Sequence, residues 1–136
     1  MDVPLTIAGS IGLLAAAVHG IGGELIVVRK LAPETLPATR FGGPRMTLAM
    51  LHVSWHIATV AFLATGAVLL LSGTALEGET PRAILVVAAA AATGYAALAA
   101  GLGATYNRRS ALRAFARHPG PIVLTAGAVM AWVGAL

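Results

Sequence analysis

Four long runs of apolar residues fill almost the whole chain, and they leave very few folds open to it. A membrane-crossing helix needs about 20 mostly apolar residues. Four segments qualify: residues 3–28, 46–72, 83–106 and 119–136, the last being the shortest. Runs of this length are too long for the strands of an ordinary domain. The predicted fold is therefore an all-α membrane protein, a single bundle of four transmembrane helices spanning residues 1–136.

Composition supports this. Only 10% of the 136 residues are charged and 58% are hydrophobic, whereas soluble domains carry about 25% charged residues. The net charge of +4 does not point to nucleic acid. The basic residues lie in short loops between apolar spans, where membrane topology accounts for them. The start of the chain lacks the basic stretch of a signal peptide and carries Asp2 instead, so the first span is expected to be retained.

The connections are well punctuated. Residues 29–45 hold Pro33, Pro37, Pro44 and the Gly42-Gly43 pair, which mark a true loop. Residues 73–82 form a short acidic loop. Residues 107–120 are basic, and Leu112 and Phe115 are spaced to touch the membrane surface. Arg113, Arg117 and His118 are candidate contacts for lipid phosphate. Pro119 suits the first turn of a new helix.

Lysines and arginines set the expected orientation. Arg29, Lys30, Arg40 and Arg45 lie in the first loop, Arg108, Arg109, Arg113 and Arg117 in the third, and only Arg82 in the second. The positive-inside rule then makes the first and third loops cytoplasmic and places both termini outside. The expected location is the bacterial cytoplasmic membrane, with the lipid bilayer as first partner.

Small residues predict the packing faces, because helices in lipid associate by close approach. Ala8, Gly12, Ala16 and Gly20 form a stripe on the first helix. The third offers residues 88–92 with Gly94, Ala97 and Gly101. The fourth offers Gly127 and Ala131.

Ionisable side chains at membrane depth cost about 2.5–3.5 kcal/mol each on insertion scales, so they face a partner or a cavity. The first two spans contain His19, Glu24, His52 and His56. Counting from Arg29 and Arg45 at 1.5 Å per residue puts His19 and His56 about 15 and 16 Å deep. The same count puts Glu24 and His52 about 8 and 10 Å deep. His52 and His56 are four apart and share a face. His19 and Glu24 are five apart and diverge by about 140° in an α-helix. Trp55 and Thr59 flank His56, and Tyr95 of the third span lies near the histidine level.

These residues are the candidate ligand or cofactor site. Two imidazoles at one depth suit haem iron, with the small-residue stripe leaving room beside it. His19, His52, His56 and Glu24 together suit a divalent metal. Stepped His and Glu groups also suit proton conduction or proton-coupled transport by an oligomer. A third reading gives the cluster only structural work, with Glu24 paired to Arg29, Lys30 or Arg109. The chain is then an accessory or scaffold subunit, in a homo-oligomer or a larger membrane complex.

Cysteine chemistry is excluded, because the chain has no cysteine. Phosphate-loop and Gly-x-Ser-x-Gly motifs are absent, and Asp2 is the sole aspartate. An enzymatic role is accordingly not expected.

Val18-His19-Gly20 with Gly23-Glu24-Leu25, Ser54-Trp55-His56, and Arg117-His118-Pro119 carry a family resemblance. On them the chain resembles a group of small bacterial four-helix integral membrane proteins with no assigned activity. The resemblance implies a four-helix membrane protein and no particular reaction.

Overall fold

A computed structural model of the chain describes residues 1–40, 42–106 and 119–136. The described residues are all-helical, with four helices. We name them α1 (Val3–Lys30), α2 (Pro44–Gly73), α3 (Arg82–Tyr106) and α4 (Gly120–Ala135). The first three are long and apolar enough to cross a membrane. The fourth is a shorter apolar helix of 16 residues, about 24 Å long against a hydrocarbon core of about 30 Å. Pro119 is its N-cap, and Pro121 rather than Pro119 occupies the first turn. The predicted surface stretch and the candidate lipid-phosphate contacts Arg113, Arg117 and His118 lie outside the described residues.

Each helix begins where local chemistry favours it. The Asp2 carboxylate accepts the Leu5 amide at 2.9 Å, satisfying one orphan donor of the first turn. Pro44 opens α2, where its missing N–H is not needed. The loop from α1 to α2 contains a 3₁₀ turn, Pro33–Thr35. It is tied to α2 by the Thr47 hydroxyl, which donates to the Pro37 carbonyl.

α1 is the centre of the bundle. It packs along α2 and also against α4, which in turn carries α3. α2 and α3 are consecutive in sequence yet meet over only a short stretch. The α1–α2 seam is held at the end opposite the long loop: the Asp2 amide donates to the Gly73 carbonyl at 2.9 Å. Along the seam the backbones touch. A Cβ on Gly12 would lie 2.7 Å from the Gly66 Cα.

Small residues point inward and large ones outward. The core is Leu5, Ala8, Leu69, Ala88, Ala89, Ala131 and Ala135, while side chains such as Val53, Ile57, Val60, Leu98 and Ile122 are exposed. This is the packing lipid favours, since lipid tails are as apolar as leucine and only close backbone approach holds helices together. On α1 and α4 the predicted stripes are the packing faces. On α3 they are so only in part: Ala88 and Ala89 are buried, as is Ala96 outside the predicted stripe, whereas Gly94 and Gly101 have no described residue within 4 Å of an added Cβ, and Ala97 is exposed.

Candidate functional site

The α1 helix changes pitch where its unusual residues lie. It is α-helical over Val3–Ala17, π-helical over Val18–Gly23, and α-helical again over Glu24–Ile26. In a π turn the backbone bonds run i→i+5, so residues five apart stand nearly above one another. His19 and Glu24 therefore both face α2, and the divergence of about 140° expected of an α-helix is cut by about 100°. Three glycines, Gly20, Gly22 and Gly23, lie in the wide turn, and Gly20 and Gly23 let α2 come close. An added Cβ on Gly20 would lie 2.6 Å from the Thr59 methyl, and one on Gly23 would lie 2.3 Å from the Trp55 ring.

His19 is locked into this contact. Its ring stacks on Trp55 with centroids 4.2 Å apart and planes 14° from parallel. Its Nδ1 is 3.0 Å from the Thr59 hydroxyl. The Trp55 indole N–H donates to the His19 carbonyl at 3.0 Å, and the Thr59 hydroxyl reaches the Trp55 carbonyl at 3.2 Å. The two helices are thus cross-bonded through three residues.

Glu24 sits one turn further along α1 and faces His52 and His56. Its Oε1 is 3.5 Å from His52 Nε2, and its Oε2 is 3.6 Å from His56 Nε2. Arg29 Nε donates to Oε1 at 3.2 Å. The Glu24 side chain is 17% exposed, against 37% for His52 and 52% for His56. Its Oε2 is buried and has no hydrogen-bond partner among the described residues. The two imidazoles lie nearly parallel, 6.2 Å apart, on the outer side of α2. There they border a shallow apolar groove, open on its outer side, with Val53, Ile57 and Val60 of the same helix.

The sequence pairing by depth is therefore redistributed. Glu24 joins His52 and also His56, whereas His19 joins Trp55 and Thr59. Tyr95 is separate from both: its hydroxyl is 3.2 Å from that of Thr65. Phe62 stands between, its ring edge-on to His19 at 5.4 Å and to Tyr95 at 4.8 Å. Thr65, Tyr95 and Phe62 border a central cavity of about 20 Å³, room for a single water.

A haem between α1 and α2 does not fit this geometry. The small-residue stripe expected to leave room for it is filled by the α2 backbone at Gly66 and by Thr59 and Trp55. Among the described residues, no group of three or more His, Cys, Asp or Glu side chains is arranged to hold a metal ion. What the arrangement offers instead is one unpartnered carboxylate oxygen and two outward imidazoles above an apolar floor. Sequence reasoning found all the ionisable members but not Phe62 or the π segment. The three glycines between His19 and Glu24 were the available signal.

Comparison with family models, with curated proteins and with solved structures gives no match.

Proposed function

We propose that this is a four-span protein of the bacterial cytoplasmic membrane that binds a small membrane-borne ligand at Glu24, His52 and His56. Both termini lie outside, and the first and third loops are cytoplasmic. One observation carries the reading: the buried Glu24 carboxylate faces two imidazoles that open away from the bundle onto an apolar groove. A buried acceptor left unpaired costs about 1–3 kcal/mol, and a ligand that draws the His56 imidazole, now 3.6 Å from Oε2, into hydrogen-bonding distance removes that cost. Each imidazole supplies a donor or an acceptor according to its tautomer. Val53, Ile57 and Val60 provide a surface for an alkyl chain or ring. The matching ligand is an amphiphile with a hydrogen-bonding headgroup, reaching the site sideways from the lipid.

The test is purification in mild detergent, followed by extraction and mass spectrometry of bound small molecules. The expected result is one amphiphile that copurifies with the native chain and is depleted at least about tenfold in Glu24→Gln and His56→Ala, as loss of a charge-assisted contact predicts. Equal recovery from all three proteins would sink the proposal.

A second reading, an accessory subunit, is favoured by the half-exposed His56: a partner helix bearing a polar side chain would cover the same groove. It predicts a stoichiometric protein partner on mild-detergent purification, lost in His56→Ala, and no bound amphiphile.

A further inference from the structure

We infer that the Trp55 indole is a positioning residue for this site: it holds α1 in π-helical register between His19 and Glu24, and that register turns Glu24 toward His52 and His56. The inference concerns the geometry of the site proposed above, and its test requires no ligand.

In an α-helix the His19 carbonyl would accept the Gly23 amide four residues on. A π segment displaces that pairing by one residue. Here the carbonyl accepts the Trp55 indole N–H at 3.0 Å. The same indole stacks on the His19 ring and lies so close to Gly23 that no Cβ would fit between. Trp55 thus touches the wide turn by a hydrogen bond, a ring face and a van der Waals wall.

The consequence for Glu24 follows from helix geometry. A π segment acts as one extra residue in an α-helix, so its collapse to α pitch turns everything beyond it by about 100°. The part of α1 before it is pinned to α2 at Gly12–Gly66 and at Asp2–Gly73, so the short end carrying Glu24 is the part that turns. Glu24 would then leave both imidazoles. Deleting one residue inside the π segment has the opposite effect: an ordinary α-helix then holds Glu24 in its present direction. Gly22 is the position to delete, because nothing lies within 4 Å of where its Cβ would be.

The chain has no cysteine, so a Glu24→Cys, His52→Cys pair joined by a short bifunctional thiol reagent reports the register. We expect Trp55→Phe, which keeps a ring but loses the N–H, to shift the register equilibrium about fivefold toward α pitch, the effect of one buried hydrogen bond, and so to slow crosslinking. Deleting Gly22 in the Trp55→Phe background should restore the native rate. Deleting Gly22 alone should leave the rate unchanged. An unchanged rate in Trp55→Phe overturns the inference, as does failure of the deletion to restore it or loss of crosslinking on deletion alone. Because the readout is a distance, these failures leave the ligand proposal standing, and absence of a ligand leaves this inference standing.

Discussion

At Gly12 and Gly66 the bundle has no room for one methyl group. A Cβ on Gly66 would sit 2.7 Å from the Leu13 amide nitrogen, so the helices would have to part. Overpacking of this kind costs about 1–3 kcal/mol. Gly66→Ala should therefore unfold in detergent at lower temperature or lower denaturant than the native protein. Gly101→Ala supplies the contrast, since its Cβ would meet none of the described residues. It should be neutral or gain up to about 1 kcal/mol from helix propensity. Equal losses at both positions would show that the close seam is not what holds α1 to α2. The seam on α1 was legible because Ala8, Gly12 and Ala16 put small residues at four-residue spacing along one face. On α3 the same reasoning lost its discrimination. Every position from Ala88 to Ala92 is alanine, so size marks no face, and the buried side proved to run through Ala88, Ala89 and Ala96.

For whole helices, existence could be read from hydropathy but direction of facing could not always be. Depth counted along α1 and α2 brought the right residues to neighbouring levels, because rise per residue is nearly constant. Angle did not transfer, because the turn angle at Val18–Gly23 is set by what packs on it. Trp55 and Thr59 belong to another helix, and no local pattern in α1 announces them. The start of α1 is, by contrast, local chemistry. Asp2 caps the first turn through Leu5, and the Thr6 hydroxyl donates to the Asp2 carbonyl at 2.7 Å and approaches the Gly73 carbonyl at 3.3 Å. Asp2→Ala should destabilise the protein by about 0.5–2 kcal/mol, whereas Asp2→Asn, which keeps the accepting oxygen, should lose little. Hydrogen exchange of the Leu5 amide checks this directly. Faster exchange in Asp2→Ala but not in Asp2→Asn is expected; equal protection in both variants would remove the cap from the account.

For the molecule as a whole, an outer surface of large apolar side chains around an alanine and glycine interior is a surface for lipid. Which way the bundle lies in that lipid decides which leaflet the Glu24 site meets. Eight of the nine Lys and Arg residues fall in the first and third loops, a bias that orients short loops toward the cytoplasm. Because the chain has no cysteine, any thiol signal from it comes from an introduced residue. Glu79 in the second loop and Glu34 in the first are both exposed, so Glu79→Cys and Glu34→Cys should fold normally. In intact cells a membrane-impermeant thiol reagent should label Glu79→Cys, and should label Glu34→Cys only after the membrane is opened. The reverse pattern would invert the bundle, and labelling of both in intact cells would mean that copies insert both ways. In the expected orientation Glu24 and its Arg29 partner lie in the cytoplasmic half of the membrane. On the proposed ligand-binding reading, the groove beside His52 and His56 would then draw its ligand from the inner leaflet, with Arg29 between that ligand and the cytoplasm.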